Sequence, residues 1–316
     1  MKIYEYRIIC PCSVDQYKVG SIYMTAKRSE EESKQVKGEG IETVKNESFT
    51  NEKESGMYTY KILHFKTKIP SSVRWAIPDS FYHFHEQSWN SFPHVHTQYH
   101  VPGMGDNFSM SIDSYYAPYK KDEPVPDNLL NLSKDDLAAR QIVYLDILDG
   151  KPKPEQNRDL SNWICKDLNV NEKFSSFRPE KKKNTFLIDT KATNPETKPP
   201  EWTNKFNGEM MIAVKVVKIN FIWTGLQTIV EKYTAGTFYH NLFLENHRAM
   251  MLWGNDWAKM SLEDVRKFES QAYSQTNSIG FEKGDENKPN ENAAVSNKKS
   301  PDTVNPPNPA EAKINH

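Results

Sequence analysis

The sequence predicts an α+β protein built on one large, mostly antiparallel sheet with helices packed against it. Three observations predict this. Seven runs of residues alternate between apolar and polar at the two-residue period of a strand, two capping signals open helices near opposite ends of the chain, and a helical pattern takes over after the longest strand run.

Taken in order, the first strand run is "YEYRIIC" from Tyr4. "SVDQ" at Ser13 to Gln16 follows it as a capping box: the Ser13 hydroxyl can accept from the first-turn amides and Gln16 can reach back, with Val14, Tyr17 and Ser21 at helical spacing. The remaining strand runs are "GIETV", "GMYTYKILHFK", "HVHTQYHV", "NFSMSID", "QIVYLDIL" and "GEMMIAVKVVKINFIW". Helical text then runs from Leu226 to about Met251, interrupted near Gly236, and "SLED" at Ser261 opens a last helix to about Gln275.

Residues 150–208 are polar, with "PEKKKNTF" and "TNPETKPPEW", and are expected to form a long insertion loop within a domain spanning 1–279, packed in places by Trp163, Phe174, Phe177 and Trp202. Residues 280–316 carry five prolines among Asn, Lys and Glu with few apolar residues, which predicts a disordered tail.

Composition excludes several classes of function. The 41 basic and 42 acidic residues of the 316 nearly cancel, so no global positive field favours nucleic acid. Three cysteines, Cys10, Cys12 and Cys165, point to a reducing compartment and a cytoplasmic protein. The start "MKIYEYRIICPC" is too polar for a signal peptide, and no run of apolar residues is long enough to span a bilayer, so any membrane contact is expected to be peripheral. There is no G-x-S-x-G elbow, no phosphate-binding G-x-x-x-x-G-K-[ST] loop and no paired Cys and His, which predicts a protein that is not an enzyme.

What the sequence does contain is polar residues on apolar faces. By strand period, Thr97 lies with Val95, Tyr99 and Val101, opposite His94, His96, Gln98 and His100. Ser114 lies with Phe108, Met110 and Ile112, and Lys215 with Met211, Ala213, Val217, Ile219 and Phe221. Thr59 and Lys61 share a face with Leu63 and Phe65. In the last helix Glu269 interrupts a stripe formed by Leu262, Val265 and Ala272. Together these imply an interior that is partly polar because it holds a polar group. Two lysines against one glutamate leave one positive charge, which a phosphodiester would neutralise.

The strings "EYRIICPCSVDQYKVGSIY", "GEGIETVKNESF", "GMYTYKI", "EQSWNSFP", "WTGLQTIVEKY", "NHRAMMLW" and "MSLEDVRKFE" stand in an order and spacing that resemble the phosphatidylinositol transfer protein family, from about Tyr4 to Tyr273 apart from the 150–208 insertion. The resemblance implies a START-like helix-grip fold, a concave sheet around a helix-gated lipid cavity, with one phospholipid carried per molecule and no cofactor. It places inositol contacts on Thr59, Lys61, Asn90 and Glu269, and phosphate contacts on Thr97, Ser114, Lys215 and Ser21. Ser114 stands where members commonly have Thr, and Ser21 replaces a Gln with a shorter reach. Trp223 matches a bilayer-docking aromatic whose usual partner Trp is Thr224 here, Ser176 matches a phosphorylated serine, and Val95 replaces a Cys of some members. The implied partners are phosphatidylinositol, a second phospholipid (phosphatidylcholine or phosphatidic acid) and, transiently, membranes such as Golgi or endoplasmic reticulum, with the protein a monomer.

Two other readings compete. His83, His85, His94 and His96, with Glu86, could ligate a metal ion, since residues two apart on a strand lie roughly 6.6 Å apart; Cys10 and Cys12 form a weaker pair of the same kind. Alternatively the same fold could serve only as a protein-binding adaptor.

Overall fold

The computed structural model describes residues 1–69, 71–74, 79–148, 158–177, 198–223, 225, 227 and 234–281. The expected tail beyond 281, residues 150–157 and 178–197 of the insertion, Thr224 and most of the first turns after Trp223 lie outside them.

Eight strands form one sheet: β1 (Lys2–Cys10), β2 (Gly40–Thr50), β3 (Ser55–His64), β4 (His83–Ser91), β5 (His94–His100), β6 (Phe108–Pro118), β7 (Gln141–Leu145) and β8 (Met211–Phe221). Their order is β2-β3-β4-β5-β6-β8-β1-β7, and only β1 with β7 is parallel. The sheet is therefore α+β and mostly antiparallel, as the alternating text requires. β4 is the strand that text did not reveal. "HFHEQSWNS" is polar on both faces, so it carries no apolar alternation, and a glycine lets β3 lie against it: a Cβ on Gly56 would strike the Asn90 carbonyl oxygen.

A long N-terminal helix (Val14–Gln35) starts at the expected box, with Gln16 N donating to Ser13 Oγ at 3.1 Å and Ser13 N donating to Gln16 Oε1 at 2.9 Å. A helix at Tyr239–Leu252 and a C-terminal helix at Leu262–Ser278, capped by Ser261 and Asp264, complete the layer over the sheet. The C-terminal helix lies along the N-terminal one, where Tyr23 and Phe268 stack at 4.5 Å. It is also pinned to the edge strand β2: Asn277 accepts from Thr43 N at 2.9 Å and donates to Thr43 O at 2.7 Å, satisfying backbone groups that an edge leaves unpaired. Leu262 does not belong to the buried stripe of that helix. It is 44% exposed, and the stripe runs instead through Val265, Glu269, Ala272, Tyr273 and Thr276.

The core fills the space between the helices and the inner face of β1, β6 and β8, with Tyr6, Ile8, Leu145, Met211 and Trp257 essentially inaccessible, and continues on the opposite face of β1 and β8, where Ile9, Ile212, Val214 and Val216 are also buried. Of the insertion, Phe174 packs edge-on to Trp163 and Trp202. No helix among the described residues is long and apolar enough to cross a membrane.

Candidate functional site

Cross-strand register decides which side chains meet, because directly paired residues project from the same face of a sheet. Thr59 pairs with Ser88, and Ser88 with Thr97. Lys61 pairs with Glu86, and Glu86 with Tyr99. Asn90 pairs with Val95, Val95 with Ser114, and Ser114 with Lys215. All six strand residues singled out for a polar ligand therefore share one face, the face under the C-terminal helix, from which Glu269 is buried against it.

One end of this patch is a bonded chain. Thr59 Oγ1 donates to Asn46 Oδ1 at 3.1 Å, Asn46 Nδ2 donates to Glu269 Oε2 at 3.2 Å, the Tyr273 hydroxyl donates to Glu269 Oε1 at 3.4 Å, and Lys61 Nζ donates to Tyr273 at 3.0 Å. Arg266 Nη1 also reaches Glu269 Oε2, at 2.7 Å. Burial opposes charge on Lys61, but Tyr273, Glu86 and Glu269 outweigh it and hold the ammonium above its ordinary range. Asn90 lies on the same face but is not bonded into this chain: it stands two residues along β4 from Ser88, the partner of Thr59, in the row that leads through Val95 to Ser114 and Lys215.

The other end is chemically different. Lys215 Nζ donates to Tyr116 at 3.0 Å and to Ser114 at 3.3 Å, and among the described residues no carboxylate pairs with it. Ser88 and Thr97 share a hydrogen bond of 3.0 Å between the two ends. Ser21 is not drawn in: its hydroxyl donates to the Lys18 carbonyl of its own helix at 3.0 Å.

Glu86 revises the charge count. Assigned by spacing to a metal set, it lies on the inner face beside Lys61, accepting from the Tyr99 hydroxyl at 2.6 Å. Lys61 is thus flanked by two carboxylates and the uncompensated charge is localised at Lys215. The histidines occupy the opposite face. There His64 meets His83 at 2.8 Å, the His85 and His100 rings lie tilted with centroids 4.7 Å apart, and His96 bonds Asp113 at 2.6 Å. Among the described residues no three His, Cys, Asp or Glu side chains converge as metal ligands, so the metal reading of His83, His85, His94 and His96 fails on geometry. Cys10 and Cys12 are both buried free thiols.

Trp223 is half-buried, edge-on to Phe81 at 5.5 Å and stacked on Phe221 at 6.3 Å, next to an exposed Ile222. Ser176 is exposed and donates to Glu172 at 2.8 Å. Sequence reasoning missed Asn46, Tyr99, Tyr116 and Tyr273 and misplaced Glu86. Tyr273 was detectable, since it lies four residues beyond Glu269 on the same helical stripe.

A large, mostly antiparallel sheet whose helix-covered face carries charged and hydroxylated groups is consistent with a START-like helix-grip arrangement. Within that class the chain belongs to the phosphatidylinositol transfer protein family, whose sequence profile matches residues 1–274. It is 33% identical over 269 residues to the phosphatidylinositol transfer protein beta isoform of Rattus norvegicus, covering 85% of this chain and 91% of that one. It is 31% identical over 271 residues to phosphatidylinositol transfer protein 2 of Dictyostelium discoideum, covering 86% and 93%.

Proposed function

We propose that this protein is a non-enzymatic carrier that binds one phosphatidylinositol molecule and exchanges it, and a second phospholipid, between membranes, acting from the cytoplasm by transient contact with surfaces such as Golgi or endoplasmic reticulum. The observation that carries the reading is the chain from half-buried Thr59 and Asn46 to buried Glu269, Tyr273 and Lys61. A neutral polyol ring both donates and accepts hydrogen bonds, and this cluster offers an ammonium, a carboxylate, an amide and hydroxyls whose charges already balance. Asn90 adds a second amide to that set.

The lone charge of Lys215, with the hydroxyls of Ser114 and Thr97 on the same face, supplies the complement of a phosphodiester; Ser21 would reach it only through a rotamer change or a water. A ligand without ring hydroxyls leaves the Lys61 cluster unsatisfied, which is a basis for preferring inositol. Keeping about thirty acyl methylenes from water is worth roughly 25 kcal/mol at about 0.8 kcal/mol each. The buried side chains Val143, Leu145, Ile147, Ile219 and Phe221 are the surfaces that would replace lipid around them.

The second lipid, phosphatidylcholine or phosphatidic acid, is the part of the proposal that chemistry constrains least. The full chain, incubated with vesicles containing phosphatidylinositol, phosphatidylcholine and phosphatidic acid and then re-isolated, should hold one phospholipid per molecule with phosphatidylinositol among those extracted. Recovery of protein without lipid would leave the adaptor reading in its place.

A further inference from the structure

Asn46 faces the site because of a β-bulge. Strand β2 pairs Thr43 with Lys61 but Lys45 with Tyr60 and Asn46 with Thr59, so Val44 is an extra residue inserted between two registers. In unbroken register Lys45 would stand opposite Thr59, and Asn46 would project from the other face. The bulge instead turns Lys45 outward, where it is exposed and lies 3.9 Å from Glu47, and turns Asn46 inward. Thr43, just before the bulge, is bonded through both its backbone groups to Asn277, which holds the C-terminal helix and its Glu269 against this part of the strand.

The hydrogen bonds of Asn46 have one direction open to them. A carboxylate oxygen only accepts, and Glu269 Oε2 already accepts from Arg266 Nη1 at 2.7 Å, so the Asn46 atom 3.2 Å from it is the amide nitrogen. Oδ1 is then turned to Thr59, and an amide oxygen also only accepts, so the Thr59 hydroxyl donates the 3.1 Å bond. A hydroxyl has one proton. With that proton held by Asn46, Thr59 Oγ1 has only lone pairs to offer a ligand. Glu269 Oε1 is likewise an acceptor, whereas Lys61, two residues from Thr59 on the same face, can only donate.

We propose that Asn46 is a positioning residue that makes Thr59 a hydrogen-bond acceptor toward the ligand, so that this side of the inositol site recognises the protons of ring hydroxyls and not their oxygens. This role rests on the carrier reading above and deepens it, because it states what the headgroup must present. The ring position that meets Thr59 has to carry a donor. A substituent there with lone pairs and no proton is repelled, and one that is merely absent leaves a bond unmade.

The full chain is compared as wild type, Thr59→Ala and Asn46→Leu, with thermal melting to confirm folding. Transfer between vesicles is measured for labelled phosphatidylcholine, phosphatidylinositol, and phosphatidylinositols in which one ring hydroxyl is replaced by hydrogen or by fluorine. The ring position whose replacement by hydrogen costs nothing further in Thr59→Ala is the one that meets Thr59. There wild type should transfer the fluoro analogue about two- to tenfold less well than the deoxy analogue, because fluorine brings lone pairs without a proton. Asn46→Leu frees the Thr59 proton, so the order should reverse, while phosphatidylcholine transfer stays close to that of wild type. A fluoro analogue transferred by wild type as well as the deoxy one or better, the same order in folded Asn46→Leu, or phosphatidylinositol transfer with no ring position coupled to Thr59 would each overturn the role of Asn46. The wild-type order decides the direction of the Thr59 bond even where Asn46→Leu does not fold. A wild-type protein that transfers neither lipid, or phosphatidylcholine alone, would instead overturn the carrier reading on which this role rests.

Discussion

Glu269→Gln tests the inositol end of the site at a single atom. Glu269 Oε2 already accepts from Arg266 at 2.7 Å and from Asn46 at 3.2 Å, whereas Oε1 has only the long contact of 3.4 Å to Tyr273 and is the oxygen left for a ring hydroxyl. A glutamine would turn its oxygen toward the two donors and present its NH2 where Oε1 had been. The ligand-facing acceptor then becomes a donor. A charge-assisted hydrogen bond contributes about 1.5–3 kcal/mol, so phosphatidylinositol binding should weaken roughly 10- to 150-fold. Phosphatidylcholine has no hydroxyl to donate there, and its transfer should stay nearly unchanged. The assay is transfer of each labelled lipid from donor to acceptor vesicles, with thermal melting to confirm that the variant is folded. Equal loss for both lipids in a folded variant would refute the assignment of Glu269 to the ring.

Other outcomes are expected. Trp223→Ala should slow transfer and vesicle association while lipid stays bound, because its ring borders the exposed Ile222; a normal rate would make its packing on Phe81 and Phe221 the whole of its role. Burial and the neighbouring His100, His83 and His64 push His85 down to about 4, and burial with Lys215 pushes His247 down to about 3. Both imidazoles titrate near 6.5 when unfolded, so their stabilising effect is whole above that pH and is lost as pH falls from 6.5 toward about 4 and about 3. Denaturant midpoints should drop across that window, and less steeply in His85→Gln; identical slopes would contradict the shift. Treatment with EDTA should leave transfer unaltered, since Glu86 faces away from the histidines; stoichiometric zinc or iron whose removal stops transfer would reverse that conclusion.

The amino-acid order alone determined much of this molecule. Two-residue alternation is a local property of the extended backbone, so the faces of Thr59, Lys61, Thr97, Ser114 and Lys215 were readable from their own strands, as were the capping boxes at Ser13 and Ser261. β4 escaped because the inner face that carries Glu86, Ser88 and Asn90 is itself polar, and a strand polar on both sides has no periodic signal. Spacing likewise put Glu86 with the histidines, though neighbours in a strand point to opposite faces. What tertiary structure decided is which faces are opposed. Register across β2 to β8 gathers residues more than a hundred positions apart into one patch. Helix packing then delivers Glu269 and Tyr273 to Lys61 and brings His247 to Tyr17. These meetings depend on long-range pairing and on the burial that makes a lone charge or an unmade hydrogen bond costly, and neither is encoded within the reach of a few neighbouring residues.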